Sequence, residues 1–149
     1  PLFEEQIGAL LDGGARCVIL ETFTDVEELV VAIEAKQSLH HCAVVALMAR
    51  AEPANWARLL DAGADVVGVN CAGTPAEMLA ALGDADVAET AVFPSAGLPD
   101  ADGRYGLTPA VFAEGAHALA GRGVRLIGGC CGTTPEHIAA LVARLTPAE

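Results

Sequence analysis

The sequence predicts an α/β fold in which parallel strands alternate with helices. Five short apolar runs rich in β-branched residues recur at fairly even spacing, and helical patterns lie between them. Such nearly continuous apolar runs are typical of parallel strands, which are buried on both faces. A doubly wound sheet and a (β/α)8 barrel both fit this order. Five strand–helix units in 149 residues are too few to close a standard barrel.

The elements follow one another from an N-terminal helical segment onward. The predicted strands are Cys17–Leu20, Ala43–Leu47, Asp65–Val69, Thr90–Phe93 and Val124–Ile127. Thr24 and Glu27 have the spacing of a capping box at the start of a helix, and Thr74 and Glu77 repeat it. A Thr-Pro pair, which favours the first turn of a helix, stands at 74–75, 108–109 and 134–135.

The charge balance excludes several kinds of partner. The chain carries 8 basic and 20 acidic residues, a formal net charge of −12, which disfavours nucleic acid and anionic membranes. No apolar run approaches the roughly 18 residues of a membrane span, and no secretory signal opens the chain. We therefore expect a cytoplasmic protein. In that reducing compartment, its five cysteines more often bind metal or react than form disulfides.

Chemically active residue types follow the predicted strands. Glu21 and Thr22 come after the first strand, Asn70 and Cys71 after the third, residues 94–97 after the fourth and residues 128–132 after the fifth. The carboxyl ends of parallel strands build the active sites of α/β folds. We therefore expect these side chains to lie at one edge of the sheet.

Three of the cysteines could together form a metal site. Thiolates from Cys71, Cys130 and Cys131 could hold Zn²⁺ at about 2.3 Å and leave one coordination position open, as a catalytic zinc requires. The glycines at 128, 129 and 132 allow the sharp turn that adjacent ligands need. The spacing alone leaves a second interpretation equally open, in which these are small residues of a tight turn.

Other polar residues have weaker signals. Asn70 either orients the site through its amide or caps a turn, which is the commoner role at a strand end. His137 is expected at the surface of the last helix. Cys17 and Cys42, at strand starts, are expected to be small core residues.

Three segments carry a family resemblance. GVNC at 68–71, PSAGLP at 94–99 and GGCCGTTPEHI at 128–138 resemble signature segments of the homocysteine S-methyltransferases, and ETFTD at 21–25 is similar to a further one. The family includes cobalamin-dependent methionine synthase, betaine–homocysteine methyltransferase and S-methylmethionine-dependent enzymes. The resemblance implies that residues 1–149 are the C-terminal portion of a homocysteine-binding (β/α)8 TIM barrel, namely its last five units.

The resemblance also implies a chemistry. Cys71, Cys130 and Cys131 would be the zinc ligands. Glu21 would hold the amino group of homocysteine, and we expect Asn70 to belong to the substrate-binding site with it. The homocysteine thiol would take the open zinc position, lose its proton and attack an activated methyl group, giving methionine. The donor would be methyltetrahydrofolate or methylcobalamin, betaine, or S-methylmethionine. Because only part of the pocket is present, we expect the isolated chain to be inactive and marginally stable.

Two other functions stay open at this point. A phosphate-binding barrel would use Gly128, Gly129 and the segment 133–135 as a cradle of backbone N–H groups at a helix start. In that case the cysteines would be incidental. A non-catalytic zinc-binding or interaction domain would bind the metal without transferring a methyl group.

Overall fold

Helices and strands alternate along the chain, as the sequence predicts. The computed structural model describes residues 2–36, 39 and 42–146. Its elements are α1 (Leu2–Asp12), β1 (Cys17–Phe23), α2 (Val26–Ala35), β2 (Ala43–Met48), α3 (Trp56–Asp61), β3 (Val66–Asn70), α4 (Pro75–Leu82), β4 (Ala91–Phe93), α5 (Pro109–Gly121), β5 (Leu126–Ile127) and α6 (Pro135–Leu145). A 3₁₀ turn at Pro53–Asn55 leads into α3. Within the described ranges, no helix is both long enough and apolar enough to cross a bilayer.

The order of the strands distinguishes between the two architectures. All five strands are parallel and pair in the order β1-β2-β3-β4-β5. A doubly wound sheet reverses direction at a switch point, whereas here each crossover moves one strand further the same way. Right-handed crossovers in a constant direction place the helices on one face of the sheet. This is the arrangement of successive units of a barrel, and the doubly wound alternative is wrong.

The two faces of the sheet are packed differently. The face toward the helices carries the main core, which includes Val18, Val69 and Val92. The opposite face, which lines the inside of a barrel, has a small cluster of Val45, Leu47, Ala91 and the partly buried Val66 and Phe93. At the edge strands this inner face is open, since Ile19 of β1 is 46% exposed and Leu126 of β5 is 39% exposed. Apolar surface is therefore left uncovered on the concave side.

The bounds of all five strands differ from the prediction, those of β2, β3 and β4 by a single residue at one or both ends and those of β1 and β5 by more. Asn70 is the last residue of β3 rather than the first residue after it. β1 continues beyond Leu20 to Phe23 through an irregular register, so Glu21 lies inside the strand rather than after it. β5 is shorter than predicted and begins only at Leu126. The reason is that the N–H group of Val124 donates to the carbonyl of Leu119 and completes the end of α5.

Helix starts are defined by side chains that cap the backbone. The capping box of Thr74 and Glu77 is confirmed. The predicted box at Thr24 is wrong, because Asp25 is the N-cap of α2 and accepts from the N–H group of Glu27 at 2.8 Å. The carboxylate of Asp25, and not the hydroxyl of Thr24, therefore caps the helix.

Candidate metal site

Three cysteine sulfurs meet at the carboxyl end of the sheet. Cys71 directly follows β3, and Cys130 and Cys131 lie between β5 and α6. Their Sγ atoms all lie within 4.8 Å of one another, and those of Cys71 and Cys131 are 3.3 Å apart. Sulfurs bound at about 2.3 Å to one tetrahedral ion lie roughly 3.8 Å apart. The donor set and its spacing therefore fit a zinc ion with a fourth position left for another ligand.

The loop after β4 holds the two cysteine-bearing loops together. It spans residues 94–97 and lies between them, because β4 lies between β3 and β5 in the sheet. Backbone hydrogen bonds tie the three loops: Cys71 N to Phe93 O (3.0 Å), Ser95 N to Gly73 O (2.8 Å), Cys130 N to Pro94 O (2.7 Å) and Ala96 N to Cys131 O (2.8 Å). The backbone from which the three sulfurs extend is therefore fixed by main-chain hydrogen bonds, and no contact between long side chains is needed to hold the loops together.

The cysteine loops adopt backbone conformations that side chains usually avoid. Cys71 has a φ of 60°, in the left-handed region, where a non-glycine residue costs roughly 1–2 kcal/mol. Gly132, with a φ of 75°, lies so close to Tyr105 that an added Cβ would stand 2.1 Å from the ring. Strain of this kind is retained where the surrounding structure imposes it, commonly at functional sites.

The Cys71 thiol is shifted strongly toward its protonated form. Burial, together with hydrogen bonds to the Cys130 and Cys131 side chains, raises its pKa to about 12. Without a cation, the Cys71 thiol therefore keeps its proton at neutral pH. A coordinated divalent metal deprotonates thiols outright, so metal binding here would release protons.

Asn70 and Glu21 lie beside the cysteines. Asn70 is fully buried at the end of β3, and its amide Nδ2 is 3.4 Å from Glu21 Oε2 and 3.8 Å from Cys130 Sγ. The same amide bonds twice to Thr22 of β1, 48 residues away in sequence. The commoner role suggested by the sequence, a local turn cap, is therefore wrong for Asn70, because its partners lie on a different strand.

Thr22 lies beside the cluster as well, and the sequence analysis names it with Glu21 but gives it no role in the site. It stands in the left-handed region with a φ of 66°, next to Glu21. Nothing in its residue type signals this, since a β-branched side chain disfavours that conformation. Only its bonds to the distant Asn70 reveal its place in the site.

Three further predictions concern residues around the sheet. His137 is buried rather than exposed, because Nδ1 accepts from the Thr134 N–H group (3.1 Å) and Nε2 donates to Leu107 O (2.9 Å). Cys42 is buried, as predicted. Cys17 is exposed instead, because it starts the edge strand β1, whose inner face is open.

The start of α6 is not arranged as a phosphate cradle. The N–H group of Thr133 donates to Cys130 O at 3.1 Å, and that of Thr134 donates to the His137 ring. A phosphate at a helix start depends on such N–H groups pointing outward. The structure thus weighs against the phosphate-binding alternative.

A cavity opens on the side of Cys71 that faces α4. It has a volume of about 500 Å³ and is lined by Cys71, residues 72–74, Glu77, Ser95, Gly97 and Leu98. This volume is within the range of small-molecule sites. The sulfur cluster is therefore accessible to a ligand of modest size.

Comparison with known proteins decides the family. The protein-family model described as homocysteine S-methyltransferase matches residues 1–145, nearly the whole chain. The chain belongs to the homocysteine S-methyltransferase family. Its curated relatives include the methionine synthases of Mycobacterium leprae (strain TN), 36% identical over 167 residues, and Mycobacterium tuberculosis (strain ATCC 25618 / H37Rv), 34% identical over 172. These alignments cover 95% and 99% of the chain but only 14% of each relative.

Solved structures support the same family assignment. The homocysteine methyltransferase MmuM from Escherichia coli matches in its apo form with a TM-score of 0.72 and 25% identity, over 96% of the chain and 56% of MmuM. Its oxidized form matches with a TM-score of 0.73 and 26% identity, over 96% and 51%. The chain thus spans about half of these structures, which agrees with the prediction of a partial barrel.

Proposed function

We propose that this chain supplies the zinc-binding part of an enzyme that transfers a methyl group to the thiol of homocysteine, giving methionine. The observation that carries the proposal is the convergence of the Cys71, Cys130 and Cys131 sulfurs within 4.8 Å. They converge at the carboxyl edge of a parallel sheet, where barrel enzymes place their catalytic groups. Family membership supplies the substrate class.

The side chains around the cluster suit an amino-acid thiol. The chemistry that zinc supplies when bound by the three cysteines is to keep the sulfur of homocysteine as a thiolate at neutral pH. Glu21 is exposed at the same edge, and its carboxylate can accept from the substrate ammonium group. The neighbouring Asn70 is fully buried and fixed by its bonds to Thr22.

The proposal extends to the donor and the cellular setting. A methyl group on an activated nitrogen, sulfur or cobalt centre fits a thiolate nucleophile, which includes methyltetrahydrofolate, methylcobalamin, betaine and S-methylmethionine. The cavity beside Cys71 offers an approach to the cluster. We place the protein in the cytoplasm, because three free thiols in mutual contact require reducing surroundings.

Metal analysis tests the site directly. We expect the purified wild type to carry about one zinc per chain, and Cys130→Ser to lose it because two sulfurs remain where three are needed. Cys17→Ser is the matched control, since it removes an exposed cysteine outside the cluster. A wild type that binds no zinc, or a Cys130→Ser variant that keeps it fully, contradicts the proposed site.

A transfer assay tests the reaction. The complete polypeptide that carries this sequence is incubated with homocysteine and, in parallel, with each of the donors named above. We expect methionine to form with at least one donor and to depend on homocysteine. Bound zinc without methyl transfer from any donor would instead favour a non-catalytic zinc-binding domain.

A further inference from the structure

The end of β1 contains a strained turn that no local feature explains. Thr22 has a φ of 66°, and the pairing of β1 with β2 becomes irregular between Leu20 and Phe23. Glycine takes up this conformation readily, whereas a β-branched residue there is an outlier. Since Glu21 immediately precedes Thr22, the direction of its carboxylate depends on this turn. An interaction from outside β1 has to hold the turn in place.

The side chain of Asn70 provides that interaction. Its Oδ1 accepts from the Thr22 N–H group at 2.8 Å, and its Nδ2 donates to Thr22 Oγ1 at 2.8 Å. The two bonds fix both the backbone and the side chain of the strained residue. Asn70 belongs to β3, which is separated from β1 by β2, so this clamp bridges two strands that are not neighbours.

The same amide also faces the two groups on which the proposed chemistry depends. Nδ2 carries two hydrogens. Three acceptors surround this nitrogen: Thr22 Oγ1 at 2.8 Å, Glu21 Oε2 at 3.4 Å and Cys130 Sγ at 3.8 Å. When a metal is bound, the Glu21 carboxylate and the Cys130 thiolate would both be anions. A neutral donor between them would lower their electrostatic repulsion. Hydrogen bonds to a ligating group from its surroundings orient that ligand and tune its metal.

We propose that Asn70 is the positioning residue that sets the Glu21 carboxylate and the Cys130 sulfur relative to one another, by clamping the left-handed turn at Thr22 and donating from one amide to both anions. The inference rests on the proposed function and goes beyond it. In this role Asn70 acts on homocysteine through Glu21 and on the metal through Cys130.

Two measurements on the complete polypeptide separate these actions. The KM for homocysteine reports on Glu21, and the sulfur-to-metal charge-transfer band of the Co²⁺-substituted protein reports on the thiolates. We expect Asn70→Ala to raise KM roughly tenfold or more, a size usual for the loss of such a supporting contact, and to shift the cobalt band. The effect on kcat should be smaller than the effect on KM, because no group that reacts is removed.

A double variant distinguishes the clamp from the contact with sulfur. In Asn70→Ala/Thr22→Gly, glycine adopts the left-handed conformation without a clamp. We expect KM to recover in part while the cobalt band stays shifted, since nothing replaces the donor to Cys130. Thr90→Val is the matched control. It removes a buried hydroxyl that bonds to Val87 O at the other end of the sheet, and it should change neither KM nor the band.

The outcomes that overturn the inference are distinct from failure of the proposed function. If folded Asn70→Ala keeps both the wild-type KM and the wild-type band, the inference is wrong and the function stands. If Asn70→Ala does not fold, Asn70→Asp retains an acceptor for the Thr22 N–H group and places a negative charge beside Glu21 and Cys130. An unchanged KM and band in Asn70→Asp then overturn the inference. A wild type that binds no Co²⁺ and converts no homocysteine overturns both.

Discussion

At the scale of single residues, backbone strain is concentrated beside the sulfur cluster. Among the described residues, three non-glycine residues have a positive φ: Thr22, Cys71 and Glu89. Two of them border the site, one on β1 and one after β3. Such strain persists only where neighbouring interactions impose it. Neighbouring interactions therefore fix the backbone at the carboxyl edge of the sheet, and this geometry does not depend on a bound ligand.

The cysteine loop offers a test at this scale. In Gly132→Ala, the new Cβ would stand 2.1 Å from the Tyr105 ring, at a φ of 75° that disfavours any side chain. Either the ring or the loop has to move, and the sulfurs of Cys130 and Cys131 move with the loop. We expect zinc affinity to fall roughly tenfold, measured by competition with a chelator. In the control Gly106→Ala the added Cβ meets nothing within 4 Å, and wild-type affinity should be retained.

At the scale of elements, the pairing of β3 with β4 requires a residue without a side chain. A Cβ at Gly68 would lie 1.8 Å from the carbonyl oxygen of Ala91. We expect Gly68→Ala to lower the free energy of unfolding by roughly 3 kcal/mol, because the strands must separate to admit the methyl group. Urea unfolding measures the change. Gly8→Ala in α1 is the control, and it should be neutral or stabilising, since the nearest atom lies 3.9 Å away. Equal stability of the two variants would contradict the prediction.

The start of α4 contributes a pH-dependent part of the stability. Hydrogen bonds from the Thr74 N–H group and hydroxyl lower the pKa of Glu77 below its ordinary value of 4.5. A lowered folded pKa stabilises the protein above the unfolded pKa, and this contribution is lost as the pH falls through the folded pKa. The side chain is exposed, so we expect an effect of roughly 0.5 kcal/mol, the usual size for a charge at a helix start.

The matched variant for this prediction is Glu77→Gln, which retains an acceptor oxygen but does not titrate. Denaturant unfolding at pH 7 should show the wild type to be the more stable protein. At pH 3 and below, the difference should shrink as Glu77 becomes protonated. A difference that stays constant over this range would show that the charge of Glu77 does not stabilise α4.

At the scale of the whole molecule, the chain contains all three cysteines of the proposed metal site but spans only part of a barrel. The three cysteines lie within the chain, whereas the inner face of the sheet is open at Ile19 and Leu126. We expect the isolated chain of 149 residues to bind zinc but to show no methyl transfer above background. It should also bind a hydrophobic dye at its uncovered face. Turnover by the isolated chain at the rate of the complete polypeptide would contradict this.

The sequence predicts the architecture well, because apolar periodicity and strand order follow from burial. The sequence also predicts that Cys71 lies near Cys130 and Cys131, because residues that follow parallel strands lie at the same edge of the sheet. The errors have a different origin. The N-cap at Asp25, the burial of His137 and the reach of Asn70 all depend on hydrogen bonds whose competing donors and acceptors only the folded chain defines. Thr22 shows the same limit, since its conformation opposes its own propensity.

The position of the sulfurs has a mechanical consequence. Cys71 and Cys131 are 60 residues apart, and their strands are separated in the sheet by β4. An ion bound by both would connect two strands that do not pair with each other, and would close a loop that contains α4, β4, α5 and β5. Cross-links across long loops restrict the unfolded chain most. Removal of the metal would therefore make the carboxyl ends of the strands more mobile. The amino ends would stay in place, because apolar packing holds them independently of the metal.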